Sequence, residues 1–404
     1  MLHDFKRLMS ARFLFTLGVQ MQAVIIGWQV YRLTHDPLAL GLIGLAEAVP
    51  ALSLALYAGY IVDRSRPLQI YRWVLRGSLL SGLVLLGSQW MGETDVRRQI
   101  IALFISSVIT GMARGFSQPA MFATVPRLIP REKLHQASAW MSSVMQVARI
   151  SGPALGGLVF GYFGIITAAS VICVSLLLAI ACVSLIQADP LPTLAHAKAD
   201  LFSGVRFVFK HPVLLPALSL DMISVLFGGV TALLPIFAAE ILFVGPRGLG
   251  LLRAAPAVGA ALMSFALTRK SIQKNAGAWL LTAVSGFGIC ILIFGLSRSF
   301  LLSFVALGLS GVFDSISMVI RGAAVQLASP DGMRGRISAV NSIFIGSSNE
   351  LGEFESGVAA RFFGTVPAVM MGGVICLMTV CGLAFLFPKL RTLDLRTLQA
   401  APMP

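Results

Sequence analysis

The feature that most constrains this chain is the recurrence, from end to end, of apolar stretches about as long as a bilayer is thick. A helix crossing the hydrocarbon needs about 20 residues. Twelve stretches qualify, over 11–34, 38–62, 69–88, 99–123, 137–162, 165–187, 213–240, 248–268, 277–296, 300–327, 337–361 and 365–387. They do not alternate polar and apolar residues, as ~10-residue barrel strands would. Only 12% of the 404 residues are charged and 57% are hydrophobic, where a soluble domain carries about 25% charged residues. The expected class is an all-α polytopic membrane protein with twelve transmembrane helices.

The polar segments between spans divide the chain. The longest, 188–212, separates six spans from six, so the expected organisation is a bundle over 1–187, a cytoplasmic linker and a second bundle with a short tail over 213–404. Within the linker, "LFSGVRFVFKHP" is amphipathic enough for a short helix on the membrane surface. With both termini in the cytoplasm, 21 of the 31 Lys and Arg residues fall in inside segments, Arg12 among them, and six fall outside. The positive-inside rule favours that orientation. It also accounts for the net charge of +14 as a surface facing anionic lipid. No loop is long enough for a folded nucleic-acid module. The five cysteines lie in apolar runs without a CxxC pair, and the five histidines lie in loops or at helix ends. Neither a disulfide framework nor a metal site is expected, and no cofactor. The basic start "MLHDFKRLMSAR" leads into too long a helix to read as a cleavable signal.

The chain repeats itself at an offset of 200. Residues 125–164 and 325–364 share nine identities in forty positions, among them Gly152/Gly352, Gly157/Gly357 and Gly164/Gly364. That exceeds the roughly two or three that average composition gives. Spans four and five thus correspond to spans ten and eleven, giving two pseudo-symmetric six-helix bundles. Parallel repeats of this kind hold a central site between halves that rock.

Three local motifs point the same way. "GYIVDRSRP" (59–67) follows span two, "GMARGFSQPA" (111–120) places Arg114 inside span four, and "RISGPALGG" (149–157) lies in span five. In this they resemble the major facilitator superfamily. Gly59, Asp63 and Arg64 match its loop motif, though the second glycine is absent and the basic end comes one residue early. The resemblance implies a gating role for that loop, with Gly59 permitting close helix approach and Asp63 pairing when the inner gate closes. Gly152, Pro153, Gly156 and Gly157 match the antiporter signature, a small-residue face with a bend. Arg114 matches the superfamily's span-four arginine, and an intramembrane Arg is a functional candidate unless paired or hydrated. Its repeat mate is Asp314, and the resemblance puts the two on opposing cavity walls. Asp314 and Arg321, seven apart, share a helix face.

"SSNELGEFESG" (347–357) sets three acids inside span eleven. Glu350 and Glu353 share a face, while Glu355 points well round. Glu350 lies about 20 Å along that helix from Ile337, and Glu47 about 14 Å into span two, at 1.5 Å per residue. The resemblance makes those two spans neighbours, and close carboxylates in a low dielectric take up protons more readily. Proton coupling is therefore expected at Glu350 and Glu353, with Glu47 and Glu355 as further candidates. The rival reading, acids neutralised by Arg partners in a wet cavity, weighs equally. Arg149 is a candidate counter-ion, and Asp221 in span seven a cavity candidate. Gln22 and Gln29 offer hydrogen bonds to a substrate, whereas Trp28 and Tyr31 read equally as interfacial anchors. Glu240 is expected at the outer surface.

Residues 18–50 and 347–357 further resemble the exporter group that holds enterobactin and other siderophore exporters and macrolide-efflux proteins. The expectation is a monomeric exporter in a bacterial inner membrane, moving a small molecule outward by alternating access against protons. An importer or uniporter, or a lipid or lysolipid flippase, would share the fold. An enzyme is not expected, because no Ser–His or metal-ligand set converges within the spans.

Overall fold

The computed structural model describes residues 2–89, 95–130, 133–187, 202–269, 272–330 and 333–396. These residues are helical almost throughout and contain no strand. In chain order the helices are α1 (Leu2–Thr34), α2 (Pro37–Arg64), α3 (Pro67–Ser88), α4 (Val96–Leu128) and α5 (Leu134–Ser184). They continue with α6 (Phe202–Lys210), α7 (Leu214–Gly228), α8 (Leu234–Ile236), α9 (Gly245–Arg269) and α10 (Ala276–Leu296). The last four are α11 (Phe300–Ala328), α12 (Arg334–Phe363), α13 (Thr365–Leu386) and α14 (Pro388–Arg391).

Ten helical stretches among these residues are long and apolar enough to cross a membrane. One of them, Gln136–Ser184, is two helices joined at Gly164, where φ is 80° and ψ is 176°. An L side chain is excluded from that region, so the glycine breaks the helix where the sequence placed the boundary between spans five and six. The remaining span, α12, has the length but is too polar to meet the same standard, since it carries the three glutamates. Counted so, the described helices are consistent with the twelve expected spans. Their outward faces are apolar: Trp73, Phe122, Trp140, Tyr162, Leu301, Phe362 and Phe385 are all exposed. In water such a surface would aggregate; against lipid tails it is at home.

Two boundaries differ from expectation. α1 begins at Leu2, because Leu8, Met9 and Ala11 bury against the bundle and Arg7 reaches both Asp4 and the Leu185 carbonyl. Span seven is not one helix. α7 stops at Gly228, Gly229 turns extended with ψ 115°, and the chain resumes as a 3-10 turn (Thr231–Leu233), α8 and a π-turn over Phe237–Ile241. Pro235 lacks the N–H that a continuous helix would use there. In the linker, 188–201 lies outside the described residues, while α6 forms within the stretch expected to be a surface helix.

The chain divides into two compact units, Met1–Ala197 with Leu234–Ala254, and Lys198–Leu233 with Ala255–Pro404. The division by sequence alone put 234–254 with the C-terminal bundle. Its contacts run the other way. Pro235 packs on Gly27, Arg253 donates to the Ala23 carbonyl at 3.3 Å, and Gly250 meets Gly157 backbone to backbone. In the second unit, α7, α10, α11 and α13 enclose an apolar core around Leu218, Leu280, Ile320 and Cys376. The tail crosses that core, with Gly277 N–H donating to the Leu393 carbonyl at 3.0 Å and Leu395 N–H to that of Gln273 at 3.1 Å.

The repeat is visible in each unit taken separately. Gly364 has φ 89° and ψ 157°, matching Gly164. A Cβ on Gly111 would overlap the Glu47 carbonyl of α2, and one on Gly311 would overlap the Pro256 carbonyl of α9. In both units the fourth helix of the repeat crosses the second at bare backbone.

Candidate functional site

In the first unit the polar groups inside the helices are drawn together by small residues. Gly111 and Gly115 sit one turn apart on α4, and their missing side chains admit the backbones of Glu47 and Ala51, one turn apart on α2. Arg114, between the two glycines, therefore reaches Glu47: its Nη1 lies 2.5 Å from Oε1. The Glu47 side chain is 19% exposed and that of Arg114 39%, so the pair is part-buried.

Gln22 of α1 is buried. Its Nε2 donates to Ser81 Oγ (2.7 Å), Ser106 Oγ (2.9 Å) and Thr110 Oγ1 (3.1 Å). Three acceptors for two N–H bonds tie α1, α3 and α4 into one polar knot. That role holds the bundle together and leaves Gln22 little freedom to meet a substrate. Gln29, also buried, has no partner for its Oε1 among the described residues. Tyr31, buried on the same helix, donates its hydroxyl to Glu240 Oε1. Glu240 is exposed, as expected, yet not solitary.

The antiporter-like motif presents two faces rather than one. Cβ atoms on Gly152 and Gly156 would press on Leu17, Gln20 and Met21 of α1, and one on Gly157 would press on Pro246 and Gly250 of α9. Pro153 contributes its carbonyl to the contact with Gly250. Beyond it, Arg247 donates to the Gly161 carbonyl (3.0 and 3.2 Å) and stacks over the Tyr162 ring at 3.6 Å.

At the loop after α2 the close approach expected at Gly59 is not found; among the described residues a Cβ there would meet no atom within 4 Å. Arg64 lies over the Tyr60 ring at 4.0 Å and donates to its hydroxyl. The side chain of Asp63 lies outside the described residues. Arg149 is exposed and is engaged in a polar or charged contact.

The second unit holds a buried ion pair. Asp221 of α7 and Arg321 of α11 form an ion pair at 2.6 Å with side chains 7% and 4% exposed. Arg321 Nε also donates to Ser317 Oγ at 3.2 Å. Asp314, half-buried, lines the same small cavity as Asp221. These groups meet because Asp314, Ser317 and Arg321 recur on one face of α11. On α12, Glu350, Glu353 and Glu355 are all half-buried. α12 touches α7 at Gly352, against the Leu226 carbonyl, and at Ser356, which donates to the Gly229 carbonyl at 2.8 Å. Glu350 and Glu353 are each engaged in a further contact.

Two features escaped the sequence. Arg12, counted among the cytoplasmic charges, is 3% exposed and donates to Ser117 Oγ (3.3 Å) and Gln118 Oε1 (3.0 Å). Its neighbours are separated from it by more than a hundred residues, so no local pattern marks it. At the start of α7, His211 Nδ1 accepts from the N–H groups of Val213 (3.2 Å) and Leu214 (3.1 Å). It thereby caps the helix, and burial pushes its pKa below the usual 6.5.

A lipid-solvated helical repeat with charged pairs inside each bundle defines a multi-pass membrane transporter of the major facilitator type. The chain belongs to the transmembrane secretion effector family, whose sequence model matches residues 2–404. The enterobactin exporter EntS of Citrobacter koseri is 23% identical over 343 residues, covering 83% of this chain and 80% of that protein. EntS of Shigella flexneri is 24% identical over 345 residues with the same coverage. Among solved structures, a bacterial homologue of the iron transporter ferroportin in its inward-facing state superposes with a TM-score of 0.75 at 18% identity, covering 97% of this chain and all of that one. The human organic anion transporter MFSD10 gives a TM-score of 0.63 at 16% identity over 94% of this chain and 98% of its own.

Proposed function

We propose that this chain is a secondary active exporter of a small siderophore- or drug-like molecule across the bacterial inner membrane, working by alternating access as a proton antiporter. The observation that carries the reading is the similarity to enterobactin exporters over 83% of the chain and 80% of theirs. It is supported by ionisable groups kept inside apolar helices, which are costly there unless paired or hydrated and which commonly mark a transport pathway. Glu350, Glu353 and Glu355 make α12 too polar for a helix solvated only by lipid. In this reading Glu350 and Glu353 exchange the coupling protons. Glu47, held by Arg114, responds to them, and Arg114, Asp314 and Asp221 belong to the polar lining. Protonation drives transport by changing which conformation is favoured, as any ligand with differential affinity does. The excess of Lys and Arg in segments assigned to the inside, 21 of 31, supports cytoplasmic termini.

The test is transport in vesicles holding the purified protein, with an imposed pH gradient and a panel of catecholate siderophores and macrolides. Proton-driven movement of at least one member toward the face that corresponds to the cell exterior is expected. Movement that ignores the pH gradient would refute antiport, and movement only of lysolipid would replace the small-molecule reading with a flippase.

A further inference from the structure

Arg12 of α1 is a buried cation to which the transport reading gives no task. It is 3% exposed. Among the described residues its guanidinium meets Ser117 Oγ at 3.3 Å, Gln118 Oε1 at 3.0 Å and Met145 Sδ at 3.9 Å. All three are neutral. Beside it lies the Tyr71 hydroxyl of α3, fully buried and completing no hydrogen bond among the described residues. A guanidinium stays charged at any physiological pH. Buried without an opposite charge, it is costly to keep.

The helices around it supply no such charge. α3, α4 and α5 contain neither Asp nor Glu. The one acid of α1, Asp4, holds Arg7 at 3.1 Å. On α2, Glu47 is taken by Arg114. The contact between α2 and α4 sets Glu47 against Gly111 and Ala51 against Gly115. In that register Asp63 is level with Arg127, about 15 Å along α4 from Ser117. Glu132 precedes α5, and Met145 lies about 17 Å along that helix from Leu134. Glu240, in the segment packed on α1, meets Tyr31, about 28 Å further along α1 than Arg12.

What covers the guanidinium is a pair of flexible side chains rather than backbone. Gln118 is exposed and Met145 half-buried. The lipid face of α4 is the exposed stripe Ile101, Ile105, Val108 and Met112. At about 100° per residue, Gln118 lies about 110° round the helix from that stripe and about 40° from Arg114. The side chain that covers Arg12 therefore opens away from lipid, on the side of α4 that carries the pair with Glu47.

We propose that Arg12, with the hydroxyls of Tyr71 and Ser117, forms a binding site for a carboxylate-like oxyanion in the first bundle, covered by Gln118 and Met145. The guanidinium fork matches two such oxygens, and the Tyr71 hydroxyl can donate to one of them. The bound anion takes the place of the Gln118 amide oxygen and supplies the charge that the surrounding helices lack. That the oxyanion belongs to the transported molecule rests on the exporter reading above; that Arg12 binds one does not.

Benzoate, benzamide and chloride separate the possibilities, because only benzoate carries both the ring and the oxyanion. The full-length protein in detergent micelles is melted in rising sodium benzoate, with benzamide and sodium chloride at matched concentrations. The melting temperature of the parent is expected to rise and saturate with benzoate alone, and Arg12→Gln to lose that rise. Gln118→Glu keeps Arg12 and the shape of the side chain, and puts a carboxylate where the amide oxygen stands, 3.0 Å from Nη2. It is expected to melt higher than the parent without benzoate and to ignore benzoate, which keeps the test decisive if Arg12→Gln does not fold. A parent unmoved by benzoate, an equal response to chloride or benzamide, or a Gln118→Glu protein that still responds overturns the site. In pH-gradient vesicles, Gln118→Glu is expected to lose export of the catecholate siderophores and to keep that of the macrolides. Any other pattern, including a parent that exports no anionic member of the panel, overturns the substrate role, while the melting curves decide the site by themselves.

Discussion

Removing Arg321 should be among the most damaging single changes in the second unit, and the structure says by how much. With side chains 4% and 7% exposed, the pair belongs to the buried class, not to surface pairs worth about 0–1 kcal/mol. Arg321→Gln would leave Asp221 charged and buried without its partner, a loss of about 3–5 kcal/mol. The double variant Asp221→Leu/Arg321→Met removes both charges together. Apolar replacement of a buried pair is neutral or stabilising by roughly 1–4 kcal/mol, and the remaining Asp314 is only half-buried. The double variant should therefore be about as stable as the parent, and the cycle should return a coupling of at least about 3 kcal/mol. Trp279, at the start of α10, is the single tryptophan of the second unit's sequence, so its fluorescence during reversible unfolding in mixed detergent micelles reports this bundle. The loss in Arg321→Gln should shrink on acidification, because the orphaned carboxylate can then take a proton. A single-variant cost below about 1 kcal/mol, or a double variant as unstable as the sum of the singles, would refute the reasoning.

Three further outcomes follow from particular contacts. Gly111→Ala should sharply reduce the yield of folded protein, because its Cβ overlaps the rigid Glu47 carbonyl, whereas Gly59→Ala, with open space around it, should change stability by under about 0.5 kcal/mol; equal yields and melting temperatures for the two would contradict the packing described. His211 caps α7 only while neutral, and its folded pKa is depressed, so its stabilisation is present above 6.5 and lost as pH falls through the lowered value. His211→Ala should cost about 1 kcal/mol at neutral pH and nothing once both forms are below that point, which unfolding curves at several pH values would check. Glu353→Gln should abolish export driven by a pH gradient while leaving insertion and melting temperature unchanged; normal export would remove Glu353 from the coupling role.

Much of the candidate site was legible because membrane helices leave ionisable residues conspicuous. Asp221, Asp314 and Arg321 stand out against apolar neighbours, and seven-residue spacing already put the last two on one face. The offset of 200 even matched the helix-breaking glycines, Gly164 and Gly364. What could not be read was partnership. That Glu47 pairs with Arg114 follows from Gly111 and Gly115, which let two backbones touch, and no local pattern singles out that partner. Arg12 looked like one more cytoplasmic charge until α4 supplied Ser117 and Gln118. Gln22 looked available to a substrate until α3 and α4 enclosed it.

The sequence by itself determined that the chain is a series of helices long enough to span a bilayer, that breaks fall at Gly164 and Gly364, and that it is built twice. Those properties follow from local chemistry: twenty apolar residues make a span, and a glycine forced to positive φ ends one. Only tertiary structure decided which helices press backbone against backbone, that 234–254 belongs with the first unit, and that Asp221 and Asp314 border one small cavity. Such facts depend on residues hundreds of positions apart meeting at a few ångströms, and in a lipid-solvated bundle that choice is made by the fit of small residues, which hydropathy does not record.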